Sequence, residues 1–120
     1  MVDNSITISG PTANNLAVNG NAKITVFHIG SGETVTISGL SITNGYTTGF
    51  GGGIHNDHAS LTLNNCTVTA NNGSGFQGGG IYNDAENSSG ALLEINNSSV
   101  TDNSGGEAFI TMHSAAALRR

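Results

Sequence analysis

Gly-Gly-Gly-Ile-His-Asn-Asp at Gly51–Asp57 returns as Gly-Gly-Gly-Ile-Tyr-Asn-Asp at Gly78–Asp84. An alternating apolar segment follows each copy, first at Leu61–Thr69 and again at Leu93–Thr101. A looser version of the same segment, Val35–Thr43, precedes both of these. The copies recur at intervals of roughly 30 residues, which is typical of solenoids, in which each copy buries its apolar face against the neighbouring copies.

The alternation of apolar residues predicts short β-strands, with one change of phase inside each segment. In the earliest copy the apolar positions are 35, 37, 40 and 42, so a bend at Ser38-Gly39 is needed to keep both halves facing one core. Asparagine pairs take this place in the later copies, and asparagine tolerates the left-handed backbone of such a bend. Stacking then places Asn64 over Asn96 and Asn65 over Asn97, about 4.8 Å apart, as amide ladders. The residues predicted to line the core are Ile54, Ile81, Leu61, Leu63, Leu93, Ile95, Val68 and Val100.

The composition is poor in charge, with 9% charged residues and a formal net charge of -5 over 120 residues. The basic residues are Lys23, Arg119 and Arg120, so we predict no binding to nucleic acid. We also predict no membrane insertion, because no apolar run approaches the roughly 20 residues that span a bilayer. Met1–Gly10 lacks the pattern of a signal peptide. Disorder would also suit a chain so rich in Gly, Asn and Ser, but its apolar residues alternate in register.

The repeat pattern changes near the end of the sequence. A third glycine triplet is expected after Asn103–Gly106, and the sequence does not have one. We therefore divide the chain into a repeat domain at 1–106 and an atypical tail at 107–120. Ser114–Arg120 has helix propensity and ends in basic residues. Two interpretations stay open: an irregular cap over the end of the solenoid, or the end of a longer repeat array.

The sequence pattern of the repeat resembles the repeats of right-handed parallel β-helix proteins of the bacterial surface and secreted type. The pattern is Gly-Gly-Gly-Ile-x-Asn followed by Leu-x-Leu-x-Asn-x-x-Val-x-x-Asn. It is similar to the chlamydial polymorphic outer membrane proteins, whose repeats carry Gly-Gly-Ala-Ile and Phe-x-x-Asn. Here Gly-Gly-Gly-Ile stands at Gly51–Ile54 and Gly78–Ile81, without a clean Phe-x-x-Asn. The resemblance covers roughly 6–103 and implies an all-β fold of about four coils, in an exported or cell-surface passenger, stalk or adhesin.

Asp57 and Asp84 are the candidates for chemistry, because they occupy equivalent positions of the repeat. Paired carboxylates serve glycosidases of this fold, and lyases of this fold use carboxylates to hold calcium, together with a basic residue that the repeat core lacks. Aspartates at such positions also simply end strands and cap turns. His55-x-x-His58 is a weak metal-ligand pattern. We predict neither a cofactor nor a metal ion.

A regular solenoid also presents rows of side chains and two open ends. Ser or Thr flanks one core residue of each repeat, at 41 and 43, 67 and 69, and 99 and 101. Such hydroxyl ladders are one way to build an ice-binding face, although Thr is also an ordinary outward strand residue. Open ends carry unpaired backbone groups and predict self-association.

The function favoured by the sequence is a non-catalytic structural or adhesin-like segment of an exported protein. Its predicted location is extracellular or on the cell surface. Its expected partners are other copies of itself, and surface carbohydrate or protein. A polysaccharide-acting or carbohydrate-binding β-helix is the alternative, and an ice-binding face is the lesser one.

Overall fold

The computed structural model describes residues 5–74, 78–85 and 91–105, together with the backbone of 110–113 and 117–119. Short β-strands joined by turns make up these ranges. Within them there is no helix long and apolar enough to cross a lipid bilayer. The strands, in chain order, are β1 (Ser5–Ser9), β2 (Ala17–Asn19), β3 (Phe27–Ile29), β4 (Thr34–Ser38), β5 (Ser41–Thr43), β6 (Tyr46–Thr47), β7 (Ile54–Asp57), β8 (Ser60–Asn64), β9 (Thr67–Thr69), β10 (Asn72–Gly73), β11 (Ile81–Asp84), β12 (Leu92–Asn96), β13 (Ser99–Thr101), β14 (Ile110–His113) and β15 (Ala117–Arg119).

Three parallel sheets hold all of these strands except β6 and β10, which pair with each other. The first sheet has the order β1-β4-β8-β12-β15, the second β2-β5-β9-β13, and the third β3-β7-β11-β14. The chain visits the first, second and third sheets in turn, and each visit adds a strand beside the one from the preceding repeat. The predicted all-β structure with repeated strands is confirmed, and the parallel arrangement is compatible with a β-solenoid.

Equivalent residues of successive repeats stand directly beside one another in these sheets. Leu61, for example, pairs with Val35 on one side and Leu93 on the other. Burial alternates along β4, β8 and β12, so every second side chain of these strands points inward. The inward side chains of all three sheets meet in one apolar cluster. That cluster includes the residues predicted to line the core: Ile54, Ile81, Leu61, Leu63, Leu93, Ile95, Val68 and Val100.

The bend between the first and second sheets lies where the phase of the sequence changes. Gly39, Asn65 and Asn97 occupy equivalent places there, with φ of 69°, 54° and 49°. This left-handed conformation suits glycine and asparagine, and it lets both flanking strands face the core. Beside the bend, Asn96 Nδ2 donates to Asn64 Oδ1 over 2.9 Å, which forms the expected amide ladder. Asn65 and Asn97 are exposed, and the backbone N–H of Asn65 donates to the Asn96 carbonyl over 3.0 Å.

A second left-handed turn follows the strands of the second sheet, at Asn44, Ala70 and Asp102. Their φ values are 54°, 57° and 55°. Asparagine and aspartate tolerate this left-handed conformation, but alanine does not, so the backbone is strained at Ala70. We expect Ala70→Gly to raise the free energy of unfolding by about 1 kcal/mol.

Urea denaturation followed by circular dichroism measures that change. The matched control is Ala17→Gly, at an exposed position within β2 where φ is not positive. Glycine there lowers stability by about 0.5–1 kcal/mol, because only the entropic cost is added. Equal effects at both positions would contradict the assignment of strain to Ala70.

Two asparagines of the glycine-rich repeat lie inside the core rather than on the surface. Asn56 and Asn83 are completely buried, and Asn56 Nδ2 donates to Asn83 Oδ1 over 2.7 Å. The same nitrogen donates to the Ala59 carbonyl over 3.0 Å, at the turn into β8. These hydrogen bonds join neighbouring repeats and hold the turn into β8, so the two asparagines have a structural role and do not belong to a surface site.

The segment Ser114–Arg120 has helix propensity, but its residues Ala117–Arg119 are not helical. Ala117–Arg119 is strand β15, paired with Leu92–Glu94, while 114–116 and 120 lie outside the described residues. Ile110–His113 likewise extends the third sheet beside β11. Pairing with an exposed sheet edge overrides a weak local preference for helix. Strands on both sides of the proposed boundary at 106 thus lie in the same sheets.

Candidate functional site

Five side chains gather on the outward face of the third sheet and at the turn after β7. They are His28, His55, Asp57, His58 and Asp84, called here the histidine–aspartate cluster. The register builds most of it, because His28 stands beside His55 and Asp57 beside Asp84. Residues two apart on a strand share a face, so His55 and Asp57 both point outward. The cluster is therefore a product of the repeat itself.

Two histidine–aspartate pairs run diagonally across the sheet with nearly the same geometry. His28 Nε2 lies 3.7 Å from Asp57 Oδ2, and His55 Nε2 lies 3.8 Å from Asp84 Oδ2. The two imidazoles stack with centroids 4.8 Å apart and planes 3° apart. Both Nε2 atoms lie on the side of the carboxylates, His28 near Asp57 and His55 near Asp84.

His58 fixes the carboxylate of Asp57 from the side of the turn. The φ of His58 is 55°, and its backbone N–H donates to the Asp84 carbonyl over 2.8 Å. This places His58 Nδ1 in a short hydrogen bond to Asp57 Oδ1. That bond is the main cause that lowers the pKa of Asp57, with His55 also contributing, while partial burial opposes it. Asp57 is accordingly an ionised carboxylate at neutral pH.

His55 is the most enclosed imidazole of the cluster, with 19% of its side chain exposed against 59% for His28. Burial lowers the pKa of His55, and the neighbouring His28 lowers it further, whereas Asp57 and Asp84 act in the opposite direction. The ring is therefore neutral at neutral pH. Its Nε2 is buried and has no hydrogen-bond partner among the described residues, because the 3.8 Å that separates it from Asp84 Oδ2 exceeds a hydrogen bond.

Aromatic rings enclose His55 on the other side. Tyr82 follows it in the same column, is 2% exposed, and meets the His55 ring edge-on at 5.5 Å. Phe50 stacks on Tyr82 with centroids 4.5 Å apart and remains 39% exposed. One flank of the cluster is thus lined by aromatic rings, and on the other His28 is exposed to solvent.

The arrangement brings together three different ligand donors. One donor atom each of His55, Asp57 and Asp84 lies within 4.8 Å of the other two. A neutral imidazole and two carboxylates form an acceptor-rich site that suits a cation or a polyhydroxylated molecule.

Sequence reasoning placed Asp57 and Asp84 together, and the structure sets them on neighbouring strands. It did not place His28 there, because Phe27–Ile29 lacks the glycine triplet that marks the later copies. The available signal is the spacing, since Phe27 precedes its partner Ile54 by the same interval as Gly51 precedes Gly78. The His55-x-x-His58 pattern, taken alone, is weak, and only the third dimension joins it to two aspartates.

The predicted structural residues lie elsewhere in the molecule. Asn64 and Asn96 are on the outward face of the first sheet, and the aliphatic residues are in the core. Comparison with known proteins adds nothing to this picture. No protein-family model matches the chain, and neither a curated protein nor a solved structure matches it significantly.

Proposed function

We propose that the chain is a non-catalytic structural segment, a right-handed parallel β-helix of about four coils, from an exported or cell-surface bacterial protein. The observation that carries the proposal is the unbroken register of equivalent residues through three parallel sheets around one core. Each repeat buries its apolar face against its neighbours, so the fold grows by adding repeats. This suits a stalk, a displayed passenger or an adhesive surface.

Self-association is supported by the edge formed by the first repeat. Strands β1, β2 and β3 are edge strands of their sheets, and edge strands offer unpaired backbone groups to another chain. Of the four exposed large apolar side chains in the described residues, three belong to this repeat: Ile6, Leu16 and Ile24. Ile24 is 63% exposed and Ile6 49%. We propose that a second copy of the chain covers this edge.

Sedimentation of the purified chain across a range of concentrations tests the stacking. We expect Ile6→Lys combined with Ile24→Lys to weaken association at least about tenfold, since charge would enter an apolar contact. Thr7→Lys is the matched control, because Thr7 lies on the same strand and points to the other face. A wild-type chain that stays monomeric at all concentrations contradicts the proposal.

A carbohydrate-acting protein is the alternative, favoured by two adjacent aspartates and by the exposed Phe50 ring on the other side of His55. Glycoside hydrolysis needs one carboxyl group with a raised pKa to act as general acid. His58 lowers the pKa of Asp57, so Asp57 does not suit the role of that acid, whereas its ionised carboxylate can accept hydrogen bonds from sugar hydroxyls. Unchanged retention on a polysaccharide panel after Asp57→Asn with Asp84→Asn excludes the alternative.

The ice-binding face is the lesser alternative, and the register of the second sheet supports it. The predicted hydroxyl side chains align in two rows across β5, β9 and β13. The rows are Ser41, Thr67 and Ser99, and Thr43, Thr69 and Thr101. Absence of thermal hysteresis in solutions of the folded chain excludes this function.

A further inference from the structure

We propose that His55, Asp57 and Asp84 bind one divalent transition-metal ion of the zinc class, with His28 as a fourth ligand. The inference goes beyond the structural role proposed above and does not depend on it. It rests on the convergence of the donor atoms, on their chemistry, and on the buried nitrogen of His55.

The donor atoms lie close to the spacing that a single ion requires. Ligands about 2.1 Å from a tetrahedral ion stand about 3.4 Å from one another. The three donor atoms lie within 4.8 Å of one another. Movements of the donor atoms below about 1.5 Å would therefore bring them to this spacing. Side-chain rotation supplies such movements, because Asp57 is 35% exposed and Asp84 is 15% exposed.

His28 occupies the place from which a fourth ligand would come. Its Nε2 lies 3.7 Å from Asp57 Oδ2, and its ring is held parallel to His55 by stacking. His28 faces Asp57 and is not among the three convergent donors, so its ring has to tilt out of the stack before its Nε2 can reach the same ion. The exposed fraction of His28, 59% of its side chain, leaves this ligand free to close over an arriving ion.

The donor set selects the class of ion. Imidazole nitrogen suits zinc, copper, nickel and cobalt, whereas calcium and magnesium prefer six or more oxygen ligands. Two imidazoles with two carboxylates therefore favour the transition metals. The buried Nε2 of His55 points to the same conclusion, because it makes no hydrogen bond to the described residues and coordination would satisfy it.

Supporting contacts already orient one of the carboxylates. His58 Nδ1 donates to Asp57 Oδ1, which leaves Oδ2 for the ion. Outer partners of this kind fix the direction of a metal ligand and strengthen binding. His58 is accordingly a positioning residue in this proposal and not a ligand.

Titration of the tag-free chain with Co²⁺ and Zn²⁺ tests the site. We expect one Co²⁺ per chain, with visible absorption bands of nitrogen and oxygen coordination, and displacement of Co²⁺ by Zn²⁺ but not by Ca²⁺. Asp84→Asn and His55→Phe should each weaken Zn²⁺ binding by more than about tenfold. Phenylalanine keeps the ring between His28 and Tyr82 and removes both nitrogens, so circular dichroism should report an intact fold.

Asp102→Asn is the matched control, because this exposed carboxylate lies at a turn with φ of 55° where asparagine is well tolerated. It should bind Zn²⁺ as the wild type does. A measurement that needs no variant is the paramagnetic shift of the His55 and His28 ring protons by Co²⁺ in the wild-type chain. The proposal is overturned by unshifted rings, by unchanged affinity in Asp84→Asn, by tighter binding of Ca²⁺, or by Zn²⁺ affinity weaker than about 1 mM.

Discussion

Alanine in place of Gly79 is expected to remove about 3 kcal/mol or more of the folding free energy. An added Cβ would overlap the Ser104 carbonyl oxygen and lie 2.8 Å from its carbonyl carbon. The backbone on the other side is also fixed, because the Gly79 carbonyl accepts from the Gly53 N–H over 3.2 Å. The glycine thus lies between the backbones of the preceding and following repeats, and neither is a side chain that can rotate away.

Urea denaturation of the variant measures this loss, and an unchanged slope with denaturant shows that only stability has changed. A domain of ordinary stability, about 5–15 kcal/mol, would lose a large part of its total. Gly49→Ala is the matched control, since its Cβ would meet only the Thr47 hydroxyl, at 3.6 Å. A loss below about 1 kcal/mol in Gly79→Ala would mean that neighbouring repeats adjust more easily than close packing implies.

Aspartate in place of Asn71 should cost a similar amount at neutral pH, and the cost should shrink in acid. Asn71 is 1% exposed. Its Nδ2 donates to the carbonyls of Ile42 and Thr69 over 3.0 and 3.1 Å, and to Asn103 Oδ1 over 3.0 Å. Aspartate has the same shape, so the change sets a charged oxygen against three acceptor oxygens. One oxygen would keep the hydrogen bond that Asn71 Oδ1 accepts from the Gly45 N–H over 2.8 Å, but burial of a charge that faces three acceptors still costs about 3 kcal/mol or more.

Acid relieves the repulsion because the new carboxyl group becomes a hydrogen-bond donor when protonated. Its pKa in the folded state is raised above the unfolded value of about 3.9. The deficit relative to wild type is therefore smallest below that value and grows as pH rises through the folded pKa. Asn14→Asp, at an exposed turn position, should change stability by less than about 0.5 kcal/mol. A deficit in Asn71→Asp that is independent of pH would contradict the explanation.

Much of the architecture follows from the sequence, because the repeat and the alternation act on the same residues. Val35, Leu61 and Leu93 recur at one place in the repeat, and this recurrence specifies both the inward face and the register. The bend at Gly39, Asn65 and Asn97 follows from the change of phase alone. The strand at Ala117–Arg119 does not follow, since its pairing depends on the exposed edge of β12 and not on local preference.

The candidate site is less accessible to sequence reasoning, because it depends on two side chains outside the obvious repeat. The equivalence of Asp57 and Asp84 is visible in the sequence. His28 belongs to a degenerate copy, and His58 reaches Asp57 only because the turn after β7 adopts a left-handed conformation. Neither backbone angle nor ring direction is encoded in residue spacing.

The spacing of the paired strands sets the kinetics by which this chain reaches its native state. Successive strands of the first sheet lie one whole repeat apart along the chain, as Val35, Leu61 and Leu93 illustrate. Every such pairing requires a closure of nearly the same length, and its entropic cost changes only slowly with that length. Because no strand pairing in the described part of the chain is local, the first two repeats to associate form the slow nucleus. Later repeats then add to an existing template, so a longer array of this kind folds by propagation, with no closure slower than the first.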